Sequence, residues 1–81
     1  MSEQLELVVP THLMPGARLR HYKGGLYRVE GACLIEATLE TGILYRPEQG
    51  NGTHVLWMRP AAQFDELVNT DQGLVCRFTL V

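Results

Sequence analysis

The sequence predicts an all-β fold, a small SH3-like barrel of about five antiparallel strands. Along its 81 residues, short apolar runs alternate with tight-turn signals such as Gly24-Gly25 and Gly50-Asn51-Gly52, a pattern typical of strands joined by hairpins. A flat sheet of this size would leave two long edges open, and closing it into a barrel removes them. An OB-like barrel is the alternative, although that fold usually needs a longer chain and a helix between its third and fourth strands.

We expect the first fifteen residues to form an N-terminal extension or a peripheral strand. The apolar run from Leu5 to Val9 is closed by Pro10 and followed by the turn signal Met14-Pro15-Gly16, and both features interrupt a strand. We expect residues 16–81 to form the barrel as one domain, since no linker or internal repeat divides them.

The segment from Arg20 to Gly31 gives the strongest fold signal, because a Gly-Gly pair lies between two strand-like runs. Glycine adopts the positive φ of a tight hairpin turn at no steric cost. The first strand is expected to end near Tyr22, and the second to run over residues 26–35. Alternation predicts a common face for five residues of the second strand. They are Tyr27, Val29, Gly31, Cys33 and Ile35.

Two further strands follow, and each is bounded by a proline. The third is expected over residues 43–46, because Pro47 prevents its continuation. The fourth is expected over residues 54–59, and its apolar character on both faces predicts a central strand of the sheet. Pro60 then suits the first position of a helical turn within residues 60–68. The last strand is expected over residues 74–81.

Composition limits the class of protein and its compartment. The hydrophobic share of 46% and the charged share of 20% are those of an ordinary globular domain, and no apolar run approaches a membrane span. The start of the chain, Met1 to Glu6, is acidic where a secretory leader would be basic and then apolar. We therefore expect a cytoplasmic protein without a membrane anchor, in which Cys33 and Cys76 are buried, reduced thiols.

Several short blocks occur in a fixed order along the chain. They are Arg20-His21-Tyr22-Lys23-Gly24, then Tyr27, Val29 and Gly31, then Leu56-Trp57 with Arg59-Pro60, and finally Arg77-Phe78. In this order the blocks resemble a small bacterial domain family of unknown function. The resemblance covers roughly residues 16–81 and implies an SH3-like barrel. It implies no activity, because the family has none assigned.

The chain differs from the pattern of that family at the positions where the family has its most reactive residues. Where the family carries His-Ser-Glu before a threonine, this chain has Ile35, Glu36 and Ala37 before Thr38. If those three residues form a working site in relatives, the site is lost or altered here.

The best candidate for a binding surface combines aromatic residues with cations. Alternation along the fourth strand predicts that Trp57 and Arg59 share a face. An aromatic ring beside a guanidinium is the kind of site that binds peptides, methylated ammonium groups or single-stranded bases. The hairpin is expected to bring Tyr22, Lys23 and Tyr27 close to this pair, and a protein or peptide partner is the expected ligand.

The competing interpretation assigns the same residues to the core. A domain of this size needs its aromatic side chains for burial. Trp57 would then fill the barrel, and Arg59 or Arg77 would form a structural ion pair with Asp65 or Glu66.

A basic segment offers a nucleic-acid alternative. Arg18, Arg20, Lys23 and Arg28 lie within a stretch without carboxylates, and a basic hairpin can contact RNA or DNA. However, the formal net charge is −2, and charged side chains also protect exposed strand edges. We therefore expect a protein partner before a nucleic acid, with a homo-dimer built by edge-strand pairing as the third hypothesis.

The sequence contains no recognisable catalytic or metal-binding motif. No serine or cysteine nucleophile stands beside a plausible base in a motif, and the three histidines lack the close spacing of metal ligands. We expect a non-catalytic binding or accessory module that needs no cofactor or metal. The residues able to act as acids or bases are His21, Glu30, Glu36, Glu40 and His54.

Overall fold

The structure, a computed structural model, describes residues 6–81. Within that range the chain forms seven short strands and two single 3₁₀ turns, the turns at Thr11–Leu13 and Ala61–Gln63. The strands are β1 (Arg18–His21), β2 (Leu26–Leu34), β3 (Thr41–Pro47), β4 (Trp57–Pro60), β5 (Leu67–Thr70), β6 (Gly73–Cys76) and β7 (Phe78–Leu80).

Five of these strands form one antiparallel sheet in the order β4-β3-β2-β1-β7, and β5 pairs with β6 in a separate ribbon. The all-β prediction is therefore confirmed. Gly24 adopts a φ of 104° in the β1–β2 turn, as the Gly-Gly signal predicts. The edge strands β4 and β7 are not paired with each other in the described part of the chain. We call the gap between them the seam, because it leaves the barrel open along one side.

An aromatic cluster holds the two ends of the sheet together. Phe64 follows the second 3₁₀ turn, and its ring centroid lies 4.8 Å from that of Phe78 on β7 and 5.3 Å from that of Tyr45 on β3. The sheet must curl for these three rings to meet, so the buried core lies on its concave side. The core residues are Leu13, Leu19, Val29, Ile43, Tyr45, Ala61, Phe64 and Phe78.

A β-bulge changes the predicted face of the second strand. The register of β2 against β3 shifts between Val29 and Gly31, so one extra residue reverses the alternation beyond that point. Ala32, opposite Ile43, packs against the core. The expectation that Gly31 and Cys33 share the face of Val29 is therefore wrong, and both lie on the opposite side of the sheet, which we call the outer face.

The fourth strand is also placed differently from the prediction. β4 is an edge strand that begins at Trp57, whereas a central strand over residues 54–59 was expected. Apolar character on both faces predicts burial, but Leu56, Trp57 and Met58 are exposed. The segment of residues 48–56 contains turns and no helix, so the structure lacks the helix that an OB-like barrel would need.

The end of the chain contains more strand than the sequence predicts. The expected helical turn is present only as the 3₁₀ turn, because Leu67 and Val68 begin β5. Residues 67–76 form the β5–β6 hairpin, whereas the sequence predicts no strand between residues 60 and 73. The predicted last strand is divided at Arg77, whose N–H donates a 2.8 Å hydrogen bond to the Glu66 carbonyl.

The remaining predictions concern the extension and the cysteines. Residues 6–15 contain no strand, and Leu13 packs into the core, while residues 1–5 lie outside the described part of the chain. Both cysteines are free, but Cys33 is only half-buried and Cys76 is exposed, so the expectation of buried thiols is wrong. Within residues 6–81, no helix has the length and apolar character that crossing a bilayer requires.

Packing on the outer face can be tested at two glycines. A Cβ added to Gly42 would lie 2.9 Å from both Cys33 Sγ and Met58 Sδ, whereas one added to Gly31 would meet no atom within 4 Å. We expect Gly42→Ala to lower the free energy of unfolding by about 1 to 3 kcal/mol. Gly31→Ala should leave it unchanged or raise it by up to about 1 kcal/mol. Urea unfolding measures both, and equal stabilities for the two variants would contradict this packing.

Candidate functional site

A small cavity opens at the seam, on the core side of the sheet. Its volume is about 170 Å³, and its walls come from five strands. We call it the aromatic groove. It is lined by His21, Tyr27, Tyr45, Trp57, Arg59 and Phe78.

The register of β4 explains how Trp57 and Arg59 reach this groove. Trp57 pairs with Tyr45 and Arg59 pairs with Ile43. Because Tyr45 and Ile43 are buried, the side chains of Trp57 and Arg59 project from the same core-side face. Trp57 is nevertheless 52% exposed, since β4 is an edge strand. Trp57 therefore borders the groove and does not fill the core.

Arg59 bridges the seam between the two edge strands. Its guanidinium carbon lies 6.0 Å from the ring centroid of Phe78 on β7, within the range of a cation–π contact. Its Nη1 donates a 3.3 Å hydrogen bond to Gln63 Oε1. Side-chain contacts therefore join β4 to β7 where backbone hydrogen bonds would join them in a closed barrel.

Arg59 and Arg77 have no acidic partner in the described part of the chain. Each has a buried Nε without a hydrogen-bond acceptor. Asp65, one of the partners that the sequence predicted, instead lies 3.1 Å from His12 Nε2. The expected ion pair of Arg59 or Arg77 with Asp65 or Glu66 is therefore not formed within residues 6–81.

His21 stands where the aromatic residues meet. Its ring centroid lies 5.0 Å from that of Phe78 and 4.5 Å from that of Tyr22. Its Nδ1 accepts a 3.1 Å hydrogen bond from the backbone N–H of Lys23. An accepting Nδ1 is unprotonated, so the ring proton of a neutral His21 lies on Nε2, which remains available as a donor.

The surroundings of His21 oppose its protonation. Burial lowers its pKa below the usual 6.5, and the positive charges of Arg77, Lys23 and Arg59 lower it further. His21 is therefore neutral near pH 7. From the sequence, His21 was considered only as a candidate acid or base. Its position in the Arg20-to-Gly24 block, beside the hairpin turn, could have identified it as a groove residue.

Two of the predicted binding residues lie in a neighbouring depression. A cleft of about 570 Å³ separates the tips of the β1–β2 and β5–β6 hairpins, and we call it the hairpin cleft. Tyr22 and Lys23 line this cleft, while Tyr27, Trp57 and Arg59 line the aromatic groove. His21 lines both, so the five predicted residues border two adjoining depressions.

The basic hairpin is partly neutralised. The guanidinium of Arg18 donates two 2.8 Å hydrogen bonds to the carboxylate of Glu48, which lowers the pKa of Glu48. Arg28, the cross-strand partner of Arg18, lies 3.1 Å from Glu30 on the outer face. Of the four predicted nucleic-acid contacts, Arg20 and Lys23 line the hairpin cleft, and Arg28 lines a separate cavity of about 200 Å³ beside Glu48.

The other acidic candidates lie outside both depressions. Glu30 contacts Arg28 and Arg46, and Glu36 and Glu40 are exposed in the β2–β3 turn. Residues 35–37, which replace the His-Ser-Glu of the family pattern, occupy the same turn. Within the described residues, no group of three histidine, cysteine or acidic side chains could hold a metal ion.

Comparisons with known proteins agree with the resemblance seen in the sequence. Residues 17–80 match the model of the family described as Protein of unknown function (DUF1653). The crystal structure of a protein belonging to DUF1653 from Bordetella bronchiseptica is similar, with a TM-score of 0.70 and 30% sequence identity. The match covers 83% of this chain and 85% of that chain. No curated protein matches the chain.

The exposure of Trp57 predicts that its truncation is tolerated. Phe64 is 0% exposed and Trp57 is 52% exposed. We expect Phe64→Ala to cost about 3 to 5 kcal/mol of unfolding free energy, and Trp57→Ala about 1 to 2 kcal/mol. Thermal melts of the two variants compare them directly. If Trp57→Ala unfolded at a temperature as low as that of Phe64→Ala, the placement of Trp57 at the groove would be contradicted.

The surroundings of His21 predict a measurable titration. Its folded-state pKa lies below that of the unfolded chain, so the unfolded state takes up the proton first as the pH falls. The stability that the neutral ring contributes is therefore lost as the pH falls below 6.5. In an NMR titration, the midpoint of His21 should lie below 6.5 and rise in Arg59→Gln, whereas Arg28→Gln should leave it unchanged. A midpoint at or above 6.5 in the wild type would refute the assignment.

Proposed function

Because this chain belongs to the family described as Protein of unknown function (DUF1653), which names no activity, we propose its function from the geometry of the site. The protein is a small non-catalytic module that binds an extended segment of a protein partner at the aromatic groove. The observation that carries this proposal is a half-exposed Trp57 beside Arg59 at the unpaired seam of the sheet.

The size of the groove favours a peptide side chain as its occupant. Pockets for drug-sized molecules usually have volumes of about 300 to 1,000 Å³, whereas the aromatic groove measures about 170 Å³. Tryptophan, tyrosine and arginine are the residues that most often dominate binding energy at protein interfaces. Trp57, Tyr27 and Arg59 supply all three types around one small depression.

The exposed edge of β4 supports an extended conformation for the bound segment. An edge strand presents unpaired backbone groups, and a peptide that adds to it gains main-chain hydrogen bonds while side-chain pockets provide specificity. Pro60 ends this edge, since it has no N–H to donate. The hairpin cleft adjoins the groove at His21, so the segment can continue past Tyr22 and Lys23.

Charge favours a protein over a nucleic acid. Arg18 and Arg28 are occupied by Glu48 and Glu30, which removes half of the proposed phosphate contacts, and Asp71 lines the hairpin cleft. Both exposed edges of the sheet also allow pairing between two copies of the chain. We further propose that the module acts in a bacterial cytoplasm, because its relative is from Bordetella and its two cysteines are free thiols.

A peptide-display selection tests this proposal. Random peptides are selected on the wild type and counter-selected on Trp57→Ala, and binding is measured through the fluorescence of Trp57, the single tryptophan of the chain. We expect micromolar peptides that change this fluorescence. They should bind Leu67→Ala, which alters an exposed apolar residue on β5, as tightly as the wild type.

Two other results would contradict the proposal. The first is a selection without any peptide that depends on Trp57. The second is tight binding of single-stranded RNA that weakens with salt, with a salt slope about one unit smaller in Lys23→Ala. Analytical ultracentrifugation over a range of concentrations separates either result from self-association.

A further inference from the structure

The aromatic groove lies in a field of positive charge. Lys23, Arg59 and Arg77 all act on His21, and each of them lowers its pKa. Arg59 also lines the groove itself, whereas no carboxylate from residues 6–81 does. A cationic occupant such as a methylated ammonium group would be repelled by these three charges, whereas an anionic occupant would be attracted.

Hydrogen-bond donors around the groove lack acceptors. The Nε atoms of Arg59 and Arg77 are buried and unpaired within residues 6–81, and the Nε2–H of neutral His21 is a further donor. A buried donor without an acceptor costs free energy, and each exception in a native protein requires an explanation. A carboxylate accepts hydrogen bonds from a guanidinium in short, charge-assisted geometry.

We propose that the partner segment anchors to this module through an acidic side chain, an aspartate or glutamate whose carboxylate binds Arg59 at the aromatic groove. This inference rests on the proposed function and adds the chemistry of the residue that is recognised. The neighbouring aromatic rings exclude water from the contact, and exclusion of water strengthens a charge pair that is fully hydrogen-bonded.

The acidic groups near the groove favour a peptide carboxylate over a nucleic-acid phosphate as the bound anion. A nucleic-acid backbone needs a continuous path of free cations. Here Arg18 and Arg28 on the outer face are paired with Glu48 and Glu30, and Asp71 lines the hairpin cleft together with Lys23. A single carboxylate fits the small, local positive site without meeting these acidic groups.

The composition of the displayed peptides gives the first test. Peptides that depend on Trp57 should contain an aspartate or glutamate at a common position. In the best of them, changing that residue to its amide should weaken binding to the wild-type protein about tenfold or more. Because only the peptide changes, this comparison does not depend on the folding of any protein variant.

Variants of the protein give the second test. Arg59→Gln should weaken the acidic peptide about tenfold or more while changing the affinity of its amide counterpart little. Arg59→Lys keeps the charge and should recover part of the loss. Arg28→Gln removes the same charge from the outer face and should bind the peptide as the wild type does.

The outcomes separate this inference from the proposed function. Trp57-dependent peptides without a common acidic residue, or equal affinities for the acid and its amide, would overturn the acidic anchor and leave the peptide-binding function in place. A selection without Trp57-dependent peptides would overturn both. An equal loss of affinity in Arg28→Gln and Arg59→Gln would show that net charge, and not a site at Arg59, attracts the peptide.

Discussion

The contact between Phe64 and Phe78 is the interaction on which the rest of the structure depends. Phe64 comes from the turn after β4 and Phe78 lies on β7, so their packing at 4.8 Å joins the two ends of a five-stranded sheet. Tyr45 completes the cluster from the middle of the sheet. A domain of 81 residues has a small core, and burying these aromatic rings supplies a large share of its stability. The curl of the sheet, and hence the concave face that carries the groove, follows from this packing.

The same packing leaves the barrel open where the groove lies. Aromatic contacts bring β4 and β7 toward each other without pairing their backbones, and Arg59 over Phe78 is the link between them. Natural proteins usually protect such edges with charge, proline or a covering segment. Here Pro60 ends the β4 edge, but Trp57 remains exposed beside it. Within residues 6–81 the seam combines exposed aromatic surface with unpaired guanidinium donors, and the peptide that we propose as its ligand would cover both.

Local sequence signals predicted the β1–β2 hairpin and the shared face of Trp57 and Arg59. The bulge in β2 and the edge position of β4 depend on contacts between distant segments and could not be predicted in this way. Gly24-Gly25 identified the β1–β2 turn because the positive φ that the turn requires depends only on the residue at that position. Alternation correctly placed Trp57 and Arg59 on one face. The bulge after Val29 depends on the partner strand, so alternation alone misplaced Cys33. The apolar run over residues 54–59 predicted a central strand because apolar residues exposed at an edge have the same pattern as buried ones. The ring contacts and the lowered pKa of His21 could not be derived from the sequence, since they depend on Phe78 and Arg77, which are distant along the chain.

The central claim is that the seam beside Trp57 and Arg59 is the binding site of the module. NMR can observe this directly through the indole N–H of Trp57 and the Nε–H of Arg59 as a selected peptide is added. We expect both signals to shift together and to saturate at one peptide per chain, while the Nε–H signals of Arg18 and Arg28 on the outer face stay in place. Shifts confined to Arg18 and Arg28, with Trp57 and Arg59 unchanged at saturation, would contradict it.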